Sequence, residues 1–362
     1  MIKKRLPQRI FLQVLFAFVL FISAKGQVGG NNTYEFLNLV PSARVSALGG
    51  NLIAVKDNDL NLAFYNPSLL SAGMHKSLAL NFSSYLAGIK FGSVAYGHQL
   101  KRNLGVMDYG IHYINYGKFV GADATSMETG DFNASEYAFF TGYARQLDSA
   151  FSIGANLKAI YSQLDTFNSF GLGADVGVTY FNQPKNFTAA LVVKNLGRQI
   201  TTYNDLKEKL PFEIQAAVSI KLKHVPLRLS LAGEHLEKWN LRYVDSVAIK
   251  QNAQSLGGQD ANQNSNKNYF FDKLMLHTVL GAEFLITRNF NLRAGFNYRR
   301  RKELKQEARG GIVGFSFGAG IKVSKFQISY GVASYHLGSL SNTFSISTNF
   351  SEFSSKASTT SH

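Results

Sequence analysis

Apolar and polar residues alternate along most of this chain. In residues 210–223 the apolar side chains fall on one face and the polar ones on the other, the apolar set being Phe212, Ile214, Ala216, Val218, Ile220 and Leu222. The same pattern recurs in residues 150–163 and 290–298. A period of two residues over ten or so positions indicates a β-strand and not a helix.

Fourteen segments with this alternation follow one another along the chain. Many of them reach ten or more residues, whereas ordinary strands average about five or six. About ten residues is the length that a tilted strand needs to cross a bilayer. The segments begin near Ser77, Ile89, Leu104, Ser135, Ala150, Ser169, Asn186, Leu210, Val225, Asp272, Phe290, Gly310, Lys325 and Asn342.

The connections between these segments tend to alternate in length. Even-numbered segments are followed by short turns such as "DSA" and "NQPK", and several odd-numbered ones by long links. The large links are Lys118–Ala134, Leu196–Lys209, Glu237–Phe271 and Arg300–Arg309. This alternation is typical of transmembrane barrels, which have short periplasmic turns and longer extracellular loops.

A soluble β-sandwich is the alternative interpretation of alternating strands. Its strands are shorter and its inward faces are apolar, whereas here one face repeatedly carries Lys, Arg, Glu, Asn and Ser. The sequence therefore predicts an all-β fold, a 14-stranded antiparallel transmembrane β-barrel formed by residues 77–350. Both ends of the barrel are expected on the short-turn side, with the four long loops on the other.

The two ends of the chain have a different texture from the barrel. Four basic residues precede an apolar run at Ile10–Ser23, which predicts a signal peptide over residues 1–26 and an exported chain. Residues 27–76 are expected to form a plug within or below the barrel. Residues 351–362 are rich in Ser and Thr and are expected to be a flexible tail. The predicted location is the outer membrane.

The charge and the lack of cysteine narrow the range of partners. The formal charge is +15, of which five positive charges lie in the predicted signal peptide. For an exported basic chain, nucleic acid is not an expected partner. Anionic lipopolysaccharide, outer-membrane lipids or an acidic protein fit better. The absence of Cys excludes disulfides and thiolate sites.

Three stretches look like ligand loops but fail on detail. Residues 57–61 begin like a calcium-binding EF-hand loop, yet Leu62 stands where Gly is needed and Ser68 where Glu is needed. The glycine-rich stretches at 171–177 and 314–320 continue the strand alternation and precede no helix. We interpret them as places where the wall curves or a plug approaches it. No metal or cofactor site is predicted.

The sequence contains no motif that indicates an enzyme. Neither H-E-x-x-H nor G-x-S-x-G occurs, and the eight histidines show no paired spacing. His112, His235 and His336 are expected near strand ends as ordinary polar residues. A Ser-His-Asp triad built from residues far apart in the sequence stays open, so an outer-membrane hydrolase is a further alternative.

The segment Thr33–Leu70 carries a set of short motifs between the predicted signal peptide and the barrel. It resembles the amino-terminal signature of the PorV/PorQ outer-membrane proteins of the type IX secretion system, which are FadL-like barrels. Ser-Ala-Arg and Ala-Leu-Gly-Gly resemble the PorQ branch, while Asn-Pro-Ser departs from the usual Asn-Pro-Ala. The matching residues are Phe36, Leu37, Ser42, Ala43, Arg44, Ala47, Leu48, Gly49, Gly50, Asp59, Asn66 and Pro67.

This resemblance implies a non-enzymatic role, as an anchor for a cell-surface attachment complex. The implied partners are a PorZ-like surface protein and also PorU and PorV, with anionic lipopolysaccharide as a further contact. The alternative is a FadL-like channel for hydrophobic solutes, since a fold does not decide a function. An apolar pocket and a lateral opening would favour the channel, whereas a sealed lumen would favour the anchor.

Within the plug, each motif has a physical interpretation. Gly49 and Gly50 permit close packing or positive φ, and Asn66-Pro67 fixes a turn. Arg44 carries five donors, so inside a barrel it needs carboxylate or carbonyl partners. Glu35, Asp57 and Asp59 are the candidates.

The long loops are the predicted partner surface. Trp239, the only Trp, accompanies Tyr243, Tyr269 and Phe270 in the longest loop, and such aromatic residues often dominate interface energy. The aromatic belt at the membrane interface is the competing explanation. Arg299, Arg300 and Arg301 form a basic cluster that fits either a solvated loop or contact with an anionic partner.

Overall fold

The computed structural model describes residues 32–101, 104–122, 125, 127–204, 206–241, 266–304, 311–336 and 339–354. The predicted signal peptide lies outside these residues. Fourteen strands form the wall: β1 Ser77–Ser84, β2 Lys90–Gln99, β3 Val106–Ala122, β4 Glu128–Gln146, β5 Phe151–Leu164, β6 Phe167–Asn182, β7 Phe187–Thr201, β8 Glu213–Lys221, β9 Leu227–Gly233, β10 Thr278–Phe284, β11 Phe290–Asn297, β12 Phe315–Val323, β13 Phe326–His336 and β14 Ser339–Asn349.

The strands close into one antiparallel barrel. Each strand pairs with its neighbours in the sequence, and β1 pairs with β14 to complete the ring. The predicted 14-stranded antiparallel barrel is confirmed. Because successive connections alternate between the two rims, the β4–β5 turn and the β9–β10 connection lie at opposite ends. We call these the short-turn end and the long-loop end.

The two faces of the wall follow the alternation in the sequence, with the apolar face outward. In β5, Leu157 is 62% exposed on the outside, whereas Asn156 and Ser162 are fully buried toward the lumen. An apolar outer face and a polar inner face are what a bilayer requires of a closed barrel. No helix among the described residues has the length and apolar character to cross a membrane.

The wall is taller on one side than on the other. Strands β3–β7 contain 14 to 19 residues, and β8–β12 contain seven to nine. The shortest strands are therefore below the roughly nine residues that a tilted strand needs to cross a bilayer.

The predicted loop at Lys118–Ala134 is wrong, because most of it is strand. β3 and β4 stay paired as far as Ala122 and Glu128. Register shifts lie between Asn115 and Gly117 and again near Gly121. A β-bulge inserts one residue and interrupts the period of two. Alternation alone therefore loses the strand at that point. The predicted loop Leu196–Lys209 is likewise too long, since β7 continues to Thr201.

Three short helices occupy segments that were predicted to be loop, strand or tail. Helix α2 spans Asn266–Leu276, so the tenth strand begins at Thr278 and not near Asp272. Helix α3, Tyr298–Leu304, lies in the loop predicted at Arg300–Arg309. Helix α4, Ser351–Ser354, forms the start of the predicted flexible tail. The rest of the tail, residues 355–362, lies outside the described residues.

Residues 32–76 run through the lumen from one end of the barrel to the other. Asn32 pairs with Lys209 in the β7–β8 connection at the long-loop end. Lys76 donates its backbone N–H to Gly97 near the short-turn end of β2, and β1 follows. Between them lie short 3₁₀ turns and helix α1, Ala43–Ala47, which packs against β11–β14. We call residues 32–76 the plug.

Candidate functional site: the plugged lumen and its two ends

Arg44 lies at the centre of a partly buried ionic cluster that joins the plug to the wall. Its Nε and Nη2 atoms each donate to the Glu283 carboxylate on β10 at 2.8 Å. Its Nη1 donates to Asp57 at 3.1 Å and to Asp59 at 3.0 Å. Arg44 is 7% exposed, and two-pronged contacts of this kind are the strongest that Arg forms. The predicted pairing with Asp57 and Asp59 is therefore present.

Two wall arginines complete the cluster around Glu283. Arg228 on β9 donates to Glu283 at 2.7 Å and to Asp57 at 2.9 Å. Arg293 on β11 donates to Glu283 at 3.2 Å. Three guanidinium groups thus face three carboxylates. Arg44, Arg293 and Glu283 are buried, whereas Asp57 is exposed at the rim of the cluster.

The structure differs from the sequence prediction in two of the partners. Glu35, a predicted partner, instead accepts from Asn32 and Asn38 at the far end of the plug. Glu283, which was missed, is 239 residues away in the sequence. The one feature of the sequence that could have indicated Glu283 was its position. The alternation along β10 places this carboxylate on the face that points into the lumen.

The Asp57 carboxyl shows the electrostatic effect of this cluster. Partial removal from water raises its pKa, but the guanidinium groups of Arg44 and Arg228 more than offset that and hold the pKa below its usual value. Asp57 therefore stays ionised and keeps its contacts with both arginines at neutral pH.

We expect Arg44→Ala to loosen the plug while leaving the wall assembled. Asp59 loses its cation, whereas Glu283 keeps Arg228 and Arg293. The free energy of unfolding should therefore fall by an amount near the low end of the ~3–5 kcal/mol found for broken buried pairs. Limited proteolysis should cleave the plug faster, with the heat-modifiable gel mobility of the barrel retained. Unchanged cleavage would contradict this expectation.

A second attachment of the plug is formed by the Asn66-Pro67 turn. Asn66 is fully buried; its side chain donates to the Ile53 carbonyl at 2.7 Å and to Thr179 Oγ1 on β6 at 3.0 Å. Its Oδ1 accepts from the Ser68 N–H at 3.0 Å. The hydroxyl of Ser68 also contacts Thr179 at 2.7 Å. This hydroxyl thus adds a contact to the wall.

The glycine pair lies where the plug approaches the wall most closely. Gly49 and Gly50 have φ of 88° and 96°, a region that favours glycine. Opposite them, a Cβ added to Gly295 on β11 would lie 2.1 Å from the Gly49 backbone nitrogen. The wall glycines Gly177 and Gly318 also face the plug, against Asn66 and Ala47. Glycine-rich stretches of the wall thus mark plug contacts and not phosphate sites.

Phe36, Leu37 and Ser42 are the remaining plug residues singled out by the sequence. Phe36 and Leu37 are buried within the lumen, and the Phe36 ring lies 5.5 Å from that of His112. Ser42 is buried, and its backbone N–H donates to Tyr65 Oη at 3.3 Å. His112 is not near a strand end as predicted: it is fully buried within β3, also against Phe64.

The middle of the lumen is filled by apolar side chains. Plug residues such as Leu48, Leu62 and Ala63 are fully buried in one cluster with wall residues of eight strands. Apart from the large ring of Phe140, the wall contributes small or medium side chains to this cluster: Ala79, Ala95, Val106, Ala144, Ala190, Val192, Ala217, Ala232 and Val279. Burial on this scale makes the plug part of the barrel core.

A polar cavity lies at each end of the plug. At the short-turn end a cavity of about 510 Å³ is lined by the ionic cluster together with Arg288, Lys322 and Lys325. At the long-loop end a cavity of about 270 Å³ is lined by polar groups that include Glu234, His235 and Glu237. Among the described residues, no cluster of His, Cys, Asp and Glu could hold a metal ion.

The aromatic residues of the longest loop are only partly within the described structure. Trp239 is 51% exposed and Phe270, on α2, is 62% exposed, and their ring centroids are 5.6 Å apart. The Trp239 ring also stacks on His277 at 5.8 Å. Tyr243 and the side chain of Tyr269 lie outside the described residues. The exposed pair stands at the long-loop end, next to the short strands β9 and β10.

The arginines of the basic cluster contact groups of their own loop and of the plug. Arg301 Nη1 donates to the carbonyl oxygens of Gly311 and Val313, and the Arg300 backbone N–H donates to Asn297. A Cβ on Gly50 would meet the Arg300 guanidinium, which therefore lies against the plug. Arg299 also lines the polar cavity at this end. These contacts favour an organised loop over a free anion-binding patch.

Comparison with known proteins identifies the fold and no family. No protein-family model matches the chain, and no curated protein does. Among solved structures, a mutant of TodX, a monoaromatic hydrocarbon channel of Pseudomonas putida, matches with a TM-score of 0.51 at 11% identity, over 84% of this chain and 96% of that one. CymD, also titled a monoaromatic hydrocarbon channel, matches with a TM-score of 0.50 at 12% identity, over 85% and 97%. At such low identity the likeness shows that this chain shares their barrel fold.

Proposed function

We propose that this chain is an outer-membrane anchor that holds a complex of surface proteins at the long-loop end of its barrel. The observation that carries the proposal is the path of the plug, which passes through the whole lumen and fills its middle. A barrel filled in this way presents its outer loops on a rigid support, and loops on rigid scaffolds are suited to recognition.

The attachments of the plug support a static seal. The ionic cluster, the Asn66 turn and a hydrogen bond from the Ala43 N–H to Ser345 Oγ on β14, at 2.8 Å, hold it to well-separated parts of the wall. Opening a passage would separate several buried charges and hydrogen bonds at once. Each of these is costly to break inside a protein.

The motifs of the plug supply the partners in this proposal. Their resemblance to the PorQ branch of the type IX secretion proteins supports a PorZ-like surface protein as the direct partner. PorU and PorV would be further members, with anionic lipopolysaccharide nearby. The proposal assigns the chain no catalytic step and no cofactor. The decisive experiment isolates the tagged chain in mild detergent and identifies the proteins that co-purify.

Replacing the exposed aromatic pair should weaken the docking of such a partner. One central aromatic residue of an interface contributes about 2 kcal/mol or more, and the contributions of neighbours do not simply add. Trp239→Ala with Phe270→Ala should therefore weaken binding by at least roughly thirtyfold. The recovery of the partner and the retention of anchored surface proteins should both fall. Phe353→Ala, which removes an exposed ring at the short-turn end, is the control. Equal recovery from both variants would assign the pair to the membrane interface.

A channel for hydrophobic solutes is the second candidate. It is favoured by the fold shared with TodX and CymD and by an apolar cavity of about 590 Å³ on the wall at β7–β12. This cavity is lined by outward-facing residues such as Leu229, Leu280 and Phe317, which face lipid. Toluene accumulation in cells with and without the barrel separates the two functions. Faster accumulation with the barrel present would support the channel, and equal accumulation the anchor.

A further inference from the structure

The β3–β4 hairpin rises beyond the strands on both sides of it. β2 pairs with β3 only as far as Asn115, and β5 pairs with β4 only as far as Ala134. Beyond these points Phe119 and Phe132 pair with each other, and their rings stack with centroids 5.2 Å apart. They stand at the long-loop end, on the same face of the hairpin as lumen-facing Ala134.

Below these two rings lies a cavity of about 460 Å³. Five aromatic rings line it, those of Tyr34, Tyr116, Phe119, Phe132 and Tyr203. Phe119 is 41% exposed, so the cavity can be entered from the long-loop end. This site shares only Asn32 with the polar cavity beside Glu234, and it shares no lining residue with the ionic cluster at the opposite end.

The charged groups of this cavity are all negative. Glu136 and Glu208 line it, and the described lining residues include no Lys and no Arg. Glu136 is 4% exposed and accepts a hydrogen bond from Tyr116 Oη at 2.5 Å, yet it forms no ion pair with any described residue. A buried carboxylate without a counter-charge is costly. In a chain with an excess of basic residues, this cavity is a local exception.

Aromatic faces and carboxylates together favour a cation. The π-face of an aromatic ring attracts ammonium and guanidinium groups, and the attraction grows when water is excluded. A neutral apolar ligand would pack against the rings but would leave the Glu136 carboxylate without a counter-charge. An anionic ligand would be repelled by both glutamates.

We propose that this cavity, which we call the aromatic mouth, binds a lysine or arginine side chain of a surface protein. The aliphatic stem packs between the Phe119 and Phe132 pair and the tyrosine rings, and the cationic head reaches Glu136. Glu208 at the rim attracts the approaching charge. The assignment of the cation to a protein rests on the proposed anchoring function, whereas the preference of the cavity for a cation does not.

The test uses the full-length barrel in maltoside micelles, because detergents with choline or amine-oxide heads would compete for the site. The probe is a fluorescent, end-blocked pentapeptide with one central lysine, and the matched peptide carries norleucine. The lysine peptide should bind roughly tenfold more tightly. Glu136→Gln should remove this preference, and Phe119→Ala should weaken the binding of the lysine peptide. Glu128→Gln removes a carboxylate from the same strand outside the cavity and should change nothing.

Three outcomes would overturn the proposal. Equal binding of the two peptides would make the cavity an apolar-solute site, and an undiminished lysine preference in Glu136→Gln would place the cation elsewhere. Binding of neither peptide would show that the cavity takes no cationic side chain. Heat-modifiable mobility must be retained in Glu136→Gln, and Glu208→Gln provides a second test because Glu208 is exposed. Partner co-purification is scored separately, so a failed anchor and a failed cation site remain distinguishable.

Discussion

Glu283→Ala should destabilise the plugged barrel more than any other substitution in the ionic cluster. Glu283 is 2% exposed and accepts hydrogen bonds from Arg44, Arg228 and Arg293. Without it, three guanidinium groups face only Asp57 and Asp59, and Arg293 loses its one described carboxylate partner. Leaving buried charge unbalanced in this way costs about 3–5 kcal/mol. The midpoint of unfolding in urea, followed by heat-modifiable gel mobility, should fall accordingly.

Glu283→Ala and Arg44→Ala can be ranked by the destabilisation that each is expected to cause. Loss of Arg44 leaves every remaining guanidinium with a carboxylate, whereas loss of Glu283 does not. Glu283→Ala should therefore lower the unfolding midpoint further. Glu128→Ala, at an exposed position of β4, should have no measurable effect. A midpoint for Glu283→Ala equal to that of the wild-type chain would mean that the cluster contributes no net stability.

The wall could be predicted from the sequence because a barrel in a membrane imposes a simple rule. Every lipid-facing position must be apolar and every second residue faces the lumen, so residues 150–163 and 210–223 show the pattern without any knowledge of contacts. The rule fails where the backbone leaves the regular ladder. The bulges near Gly117 and Gly121 interrupt the alternation, so the sequence pattern did not predict the upper part of the β3–β4 hairpin. This part of the hairpin forms one side of the aromatic mouth.

The plug could be predicted only in part, because its stability comes from distant partners. Arg44 was identifiable as needing carboxylates, and the nearby Asp57 and Asp59 could be suggested from proximity in the sequence. Glu283 and Arg228 could not, since their contacts depend on the barrel register that brings β9 and β10 beside the plug. The same limit applies to Glu136 and Tyr116, whose pairing requires the β3–β4 ladder to be known.

A second buried ion pair shows the same dependence of the lumen on long-range contacts. Lys158 on β5 is 2% exposed, and its Nζ lies 2.7–2.8 Å from the two carboxylate oxygens of Asp175 on β6, which is fully buried. Asp175 also accepts a hydrogen bond from the backbone N–H of Asn195 at 2.8 Å. Asn195 has a φ of 57° and lies at an irregularity in the β6–β7 ladder. The Lys158 Nζ lies 5.6 Å from the centre of the Phe64 ring of the plug. The Lys158–Asp175 pair therefore links β5 to β6 beside the irregular part of the β6–β7 ladder, and it also contacts the plug.

Lys158→Met should be among the most destabilising single changes in the tall side of the wall. Methionine fills much of the volume of the lysine stem but leaves the Asp175 carboxylate buried without a cation, which costs about 3–5 kcal/mol. Adding Asp175→Asn removes the stranded charge while the amide oxygen can still accept the Asn195 N–H. The double variant should therefore unfold at a higher urea concentration than Lys158→Met alone. If the second substitution lowers the midpoint further, the stability of this site comes from the Asp175 hydrogen bonds and not from charge pairing.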